Sequence, residues 1–367
     1  MSDEFRELLK RVGSGTHTSK NLTRAEAATA TKMMLQQKAT PAQIGAFMIA
    51  HRIKRPTPEE LAGILDAFEE LGSKLIANPD CIYRPVVLGT PYDGRSRTVP
   101  VTTITALILA SADLPVILHG GECMPTKYGI PAIEIWQQLG VDFSGFDLAQ
   151  AQEIYDRSGV GFVYLPQHFP SAYHFVPFRE QIGKRPPFAT AELVWCPVVG
   201  NANLVAGFVH PPTEERFRET FKLRGTNNFT LVKGLEGSCD LARSRTGIIA
   251  IAKSEDSFER ILLDPFEYNL NGSDIIIEST PQVISLTQEV IQGNNSQLFP
   301  AAILNGGFYL WRFGVAENLP AGFELAEAML TTGKVASKLK ELQTLCNNVP
   351  TMGNSKRGQG GQRTINN

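Results

Sequence analysis

The segment VVLGTPYDGRSRTVPVTTITALILASADLPVILHGGE, Val86 to Glu122, lays out one structural unit and begins a second. A short apolar run, Val86 to Leu88, stops at Gly89 and Thr90, passes through Asp93 and Gly94, and gives way to the periodic stretch Thr102 to Ala112. That order predicts strand, glycine loop and helix. Pro115 to Leu118 then reads as a buried strand, and His119, Gly120 and Gly121 open a second loop. Backbone N–H groups exposed at a helix N-terminus, aided by the macrodipole, attract phosphate. Two such loops at neighbouring strand ends suggest a cleft for a sugar phosphate or diphosphate. Ordinary glycine turns of an α/β protein are the alternative reading of the same residues.

Outward from this segment, composition bounds the class. The chain has 367 residues and is 43% hydrophobic, enough for two domains or for one large domain with an appendage. With 35 Lys plus Arg against 37 Asp plus Glu, no global field draws the molecule to nucleic acid or membrane, so any basic site must be local. Cys81, Cys123, Cys196, Cys239 and Cys346 are odd in number and contain no CxxC pair. That argues against a disulfide framework and a zinc site, and fits reduced thiols in the cytoplasm. The N-terminal MSDEFRELLKRVGSG is charged and helix-patterned, and neither a signal peptide nor a membrane segment is expected.

Taken in order, residues 1–76 read as an all-helical domain, completed by part of the central helices. Its helices are Phe5 to Val12, Ala25 to Gln37 behind a Thr23/Glu26 capping box, one from Pro41 through His51, and one from Thr57 or Pro58 through Leu71. The stripe Ile44, Phe47, Met48 is either core or a face that pairs with a second subunit. Residues 77–352 alternate strand and helix, which implies a mostly parallel sheet flanked by helices. Helices are expected at Ala132 to Leu139 and Asp147 to Ser158, with a strand at Gly161 to Leu165. Further strands are expected at Leu193 to Val199, Leu204 to Val209, Phe229 to Lys233, Ile248 to Ile251 and Ile275 to Ile277. Helices return at Pro281 to Gln292, Leu298 to Phe313 and Gly322 to Leu345. The polar, glycine-rich tail 353–367 reads as disordered.

Three stretches carry a family resemblance. LTRAEAATATKMMLQQKATPAQIGAFMIAHRIKRPTPEELAGILDAF, FVYLPQHFPSAYHFVPFREQIGKR (Phe162 to Arg185) and QLFPAAILNGGFYLWRFG, in that order, resemble the anthranilate phosphoribosyltransferases. The resemblance runs from about Arg6 to Leu345. It implies a small helical domain and a large α/β domain around a hinged cleft, a homodimer through the helical domains, and Mg2+ as cofactor. It also implies transfer of a phosphoribosyl group from phosphoribosyl pyrophosphate (PRPP) to the amine of anthranilate, in tryptophan biosynthesis. Such a reaction asks for stabilisation of the leaving diphosphate and a positioned amine rather than a covalent nucleophile.

The matching positions place phosphate or ligand binding on Gly89, Thr90, Asp93, Gly94, Thr103, His119, Gly120 and Lys127. Arg179 matches the family's arginine for the anthranilate carboxylate, and Glu236 and Asp240 stand where the acidic metal pair is expected. The loops depart from the pattern, however. GTGGD reads Gly89-Thr90-Pro91-Tyr92-Asp93, with a proline lacking an N–H and a bulky tyrosine where backbone should approach phosphate. TFNIST reads Thr98 to Thr103 with Pro100 at the asparagine. KHGNR reads Leu118 to Glu122, replacing two basic residues by an apolar and an acidic one. SSKSG survives as Thr126-Lys127-Tyr128-Gly129. Phe169 stands at a family histidine, and the family's RTIFN…GPL run is replaced from Arg185-Pro186-Pro187 through Glu192-Leu193.

For individual residues more than one reading stands. Arg179 is either a carboxylate binder or a buried arginine held by Glu180 or backbone carbonyls. His119 is either a site residue or a satisfied hydrogen-bonding core histidine, and Lys127 either a ligand or a solvated charge. With ATAEL after the arginines, the losses resemble a divergent paralogous branch linked to nucleic-acid binding. On that reading Arg95, Arg97, Arg243 and Arg245 could line one cleft and track the phosphates of a single strand; otherwise they are solvated loop charges. The order of expectation is binding of a nucleotide or sugar phosphate, then nucleic-acid binding, then efficient transfer to anthranilate.

Overall fold

The structure, a computed structural model, describes residues 3–15, 17–254 and 257–349. The tail expected to be disordered, 353–367, lies outside the described residues.

Four helices open the chain: α1 (Asp3–Gly13), α2 (Arg24–Leu35), α3 (Pro41–Lys54) and α4 (Pro58–Leu71). Capping boxes start the last three, pairing Thr23 with Glu26, Thr40 with Gln43 and Thr57 with Glu60. Each satisfies two orphan amides of the first turn, and proline in the first turn of α3 and α4 wastes no donor. Glu60 does more than cap. Its buried carboxylate accepts the Leu22 amide at 2.8 Å and the Lys54 ammonium at 2.7 Å, tying the α1–α2 connection to the end of α3. Burial pushes its pKa up, but His51, whose Nε2 lies 3.3 Å away, and the hydrogen bonds from Lys54 and Leu22 outweigh this and hold it at about 2. Where α2 crosses α4, a Cβ on Gly63 would lie 2.2 Å from the Arg24 carbonyl oxygen, so only glycine allows this approach. Ile44, Phe47 and Met48 are interior. The stripe is core, and the expected dimer loses the face that motivated it.

Among the described residues nine strands follow: β1 (Leu75–Ile76), β2 (Val86–Leu88), β3 (Val116–Gly120), β4 (Val160–Tyr164), β5 (Val198–Val199), β6 (Asn203–Gly207), β7 (Phe229–Val232), β8 (Gly247–Ser254) and β9 (Ser257–Leu263). β1 and β5 form a short parallel pair. The other seven make one sheet in the order β4-β3-β2-β6-β7-β8-β9, parallel from β4 to β7 and antiparallel across β8 and β9. The chain builds outward from β2 through β3 to β4, then returns beside β2 with β6. This reversal is a topological switch point, the place where open α/β sheets form a crevice at their strand carboxyl ends.

Connections cover both faces. α5 (Thr102–Ser111) joins β2 to β3, and α6 (Ala132–Gln138) and α7 (Leu148–Ser158) join β3 to β4. Short helices α8 (Leu165–His168), α9 (Pro170–Tyr173), α10 (Val176–Ile182) and α11 (Phe188–Val194) lead towards β5, and α12 (Pro211–Arg224) joins β6 to β7. The chain closes with α13 (Thr280–Ile291), α14 (Phe299–Arg312), α15 (Leu319–Thr331) and α16 (Lys334–Asn348). Strand alternation splits the core by face. Val86, Leu88, Val116 and Leu118 pack with α5 and α14, whereas Val87, Ile117 and Leu204 share one cluster with Phe47, Leu61 and Phe68 of the helical bundle. The two domains are therefore joined by continuous apolar packing.

Three expectations change. The run Leu193 to Val199 is the end of α11 followed by a two-residue strand. Ile275 to Ile277 forms no strand; Ile276 makes a single antiparallel bridge to Thr98. The helix expected over Gly322 to Leu345 is two helices, broken at Gly333, whose φ of +76° is left-handed.

Candidate active site

The loop after β2 sits at the switch point, but its surroundings close over it. Gly94 has φ +73°, and a Cβ there would lie 2.4 Å from the Gly129 carbonyl carbon. Arg95 and Ile130 form an antiparallel bridge, so the loops 89–95 and 127–130 are laced together. Between them, around Thr90, Pro91, Thr103 and Ser238, remains a cavity of about 20 Å3, the size of one water. Thr103 Oγ1 is buried there without a partner.

The side chain of Arg95 turns inward and is buried. Its Nη1 donates to Asp240 Oδ2 at 2.6 Å and to Ser238 Oγ at 2.9 Å, its Nε to Glu236 Oε1 at 3.2 Å, and its Nη2 to Thr98 Oγ1. Asp240 also accepts the Val101 amide at 3.1 Å and the Thr102 hydroxyl at 2.7 Å, at the N-terminus of α5. The helix end that could meet a phosphate thus meets an internal carboxylate. Glu236 accepts the amides of Arg97 and Thr98, both at 3.0 Å, and lies 3.4 Å from Lys127 Nζ. Burial would raise Glu236; Arg95 and the amides of Ser96, Thr98 and Arg97 lower it to about 2. Burial also lowers Lys127.

The 239–241 backbone that presents Asp240 is fixed by α14. Asn305 accepts the Leu241 amide at 2.7 Å, and Tyr309 donates to the Cys239 carbonyl at 2.5 Å. This gives a structural duty to the LNGG helix of the resemblance.

Arg179 is buried and bound to Glu192, with a further contact from its Nη1 to Met124 Sδ at 3.2 Å. Neither Glu180 nor a backbone carbonyl holds it. Burial lowers its pKa to about 10. Asp93 is likewise engaged, accepting Arg185 Nη2 at 2.6 Å and Nε at 3.1 Å. His119 is fully buried; its Nδ1 faces Tyr92 Oη at 2.5 Å, and burial lowers its pKa to about 3, so the ring is neutral. Burial raises Tyr92, which keeps its proton and shares a hydrogen bond with Nδ1. The Tyr92 ring lies against Gly120, within 3.7 Å of where a Cβ there would be. His119 is therefore tied to the core rather than presented as an acid or base.

The four arginines offered to nucleic acid do not form one track. Arg95 is withdrawn into the carboxylate pair. Arg243 donates to the carbonyls of Leu270 (2.8 Å) and Asn271 (2.9 Å), while Arg97 and Arg245 are exposed. Sequence reasoning named neither Glu192 nor Arg185 as site residues; both partners come from outside the loop motifs. Among the described residues, no group of three or more His, Cys, Asp or Glu is placed to hold a metal ion, and no helix is long and apolar enough to cross a membrane.

Comparison with known proteins agrees with the resemblance. The family model "Glycosyl transferase family, helical bundle domain" matches residues 6–72, and "Glycosyl transferase family, a/b domain" matches residues 87–336. Anthranilate phosphoribosyltransferase of Acetivibrio thermocellus is 25% identical over 346 residues, covering 93% of this chain and 97% of its own. That of Methylobacterium nodulans is 28% identical over 349 residues, covering 94% and 99%. The anthranilate phosphoribosyltransferase of Thermus thermophilus superposes with a TM-score of 0.76 at 19% identity, covering 94% of this chain and 100% of its own. The Saccharomyces cerevisiae enzyme in complex with PRPP and Mg does so with a TM-score of 0.79 at 14% identity, covering 95% and 99%. With both domains matched in order along its length, the chain belongs to the anthranilate phosphoribosyltransferase family of glycosyl transferases.

Proposed function

We propose that this family member binds a phosphorylated small molecule in its interdomain cleft and has largely given up phosphoribosyl transfer to anthranilate. The observation that carries this is the pairing of Arg95 with Glu236 and Asp240. Mg2+ takes a near-octahedral set of oxygens, and here both carboxylates already accept N–H or O–H donors around a guanidinium. As arranged, the pair does not suit the ion. Glu192 on Arg179 has the same consequence for a substrate carboxylate, because a guanidinium fork engaged by one carboxylate must release it to take another. The small cavity beside Thr103 leaves no room for a diphosphate.

Each lost donor to developing charge costs an enzyme about 10²–10³ in rate. Purified protein supplied with anthranilate, PRPP and Mg2+ is therefore expected to turn over at least about 10³-fold more slowly than an active family member in the same fluorescence assay. A rate within tenfold of that enzyme refutes the reading.

A further inference from the structure

Beside the sealed loops, the cleft keeps an open part on its helical-domain side. It is a cavity of about 740 Å3 at the carboxyl end of β6, between the α3–α4 connection, the 185–190 segment and the start of α12. Arg52, Arg55, Arg185 and Arg216 line it with His210, and no carboxylate does. Arg185 is held by Asp93, and Arg52 donates to the Arg185 carbonyl at 2.5 Å. Arg55 and Arg216 have no ion-pair partner among the described residues. Burial, and after it the charge of Arg55, pushes Arg216 below its ordinary pKa, so two like charges are crowded at one wall. The fourteen-residue α12 starts with Pro211 and Pro212 and has no side-chain cap, adding the positive end of its dipole to the same space.

A cluster of guanidinium groups in which Arg55 and Arg216 lack a counter-charge among the described residues is, at a sheet switch point, a polyanion site by its chemistry. Arginine engages phosphate oxygens in pairs, and two or more phosphates would relieve the mutual repulsion. The remaining walls include Ile53, Pro56, Pro186 and Pro187, which offer apolar surface to a ring. The volume of about 740 Å3 lies within the range of small-molecule pockets, which fits a discrete ligand better than a polymer. We propose that this cavity binds a nucleoside di- or triphosphate, its phosphates on Arg55 and Arg216 and its ring on the proline-lined wall. This names the ligand class for the binding function proposed above and rests on that reading.

The test is calorimetric titration of the full chain with inorganic tripolyphosphate and with ATP, in parallel with a single-stranded DNA oligonucleotide. Both small probes are expected to bind, ATP more tightly. An Arg55→Ala/Arg216→Ala variant is expected to weaken both by tenfold or more, since a charge-assisted contact is worth about 1.5–3 kcal/mol and 1.4 kcal/mol is tenfold. An Arg6→Ala/Arg157→Ala control on the exposed surface should bind as the native chain does. Because neither arginine has a carboxylate to abandon, the cleft variant should also melt no lower than the native chain; a merely structural role would lower it. Absence of binding, equal affinity in the cleft variant, or binding of the oligonucleotide alone overturns the inference. Turnover of anthranilate and PRPP would instead strike the functional reading and leave this site to be judged by titration.

Discussion

Replacing Arg95 by alanine tests whether an internal cation has taken over the acidic pair. The substitution leaves Asp240 with the Val101 amide and the Thr102 hydroxyl, and Glu236 with the amides of Ser96, Arg97 and Thr98, the Ser96 and Thr98 hydroxyls, and Lys127 at 3.4 Å. Breaking a buried ion pair by removing one partner costs about 3–5 kcal/mol. The surviving donors argue for the lower end, about 3 kcal/mol, read as a fall in the urea midpoint at neutral pH.

The pH dependence has a definite sign. Glu236 is depressed from its ordinary 4.5 to about 2 in the folded chain, so its contribution is fully present above about 4.5 and is lost as pH falls towards 2. Without Arg95 that depression shrinks. The gap between native chain and variant is therefore widest above pH 4.5 and closes on acidification. If the vacated space accepts Mg2+ with a Kd of about 1 mM, a tenfold excess returns about 1.4 kcal/mol to the variant and nothing comparable to the native chain. A variant unfolding at the native midpoint, or Mg2+ stabilising both proteins equally, would refute the reasoning.

The second internal pair makes a parallel prediction. Glu192→Ala leaves the Arg179 guanidinium buried with only the Met124 sulfur, at a cost of about 3–5 kcal/mol, and millimolar benzoate should raise the melting temperature of this variant but not of the native chain. Equal response in both proteins would show that Arg179 is not a carboxylate site in either. In the helical domain, Gly63→Ala places a methyl 2.2 Å from the Arg24 carbonyl oxygen and should cost about 1–3 kcal/mol as α2 and α4 are forced apart. An unchanged melting curve contradicts that crossing.

What could be read from the chain depended on distance along it. Capping boxes, the Gly89 loop and the β2–α5–β3 unit are written within a few neighbouring residues, and the structure contains them. The break at Gly333 also had a local sign, glycine after two threonines, but the apolar spacing on both sides continues through it. The stretch Leu193 to Val199 misleads because an uninterrupted apolar run suits a buried helix end as well as a strand. The site pairs were beyond reach for a different reason. Arg95 meets Asp240 across 145 positions and Asp93 meets Arg185 across 92, so their pairing is a property of the tertiary structure. Damage to the loop motifs was legible in Pro91, Tyr92 and Glu122. That the surviving charged residues had found partners of their own was not.

Those partners bear on why the charged residues remain. Loss of ligand alone would leave Asp240 and Arg179 buried without counter-charges, each a liability of several kcal/mol. Instead a cation lies on the acidic pair, and an anion lies on the arginine. Each replacement has the sign of the group that the family resemblance assigns to that place, Mg2+ in one case and the anthranilate carboxylate in the other. The electrostatic complementarity of a liganded cleft is thereby kept without the ligands, and the fold no longer depends on their presence. On this view the survival of Arg179, Glu236 and Asp240 is no sign of retained transfer chemistry. On the proposed reading the charge left without a carboxylate lies at the wall formed by Arg55 and Arg216, so a free anion has more to gain there than at the loop after β2.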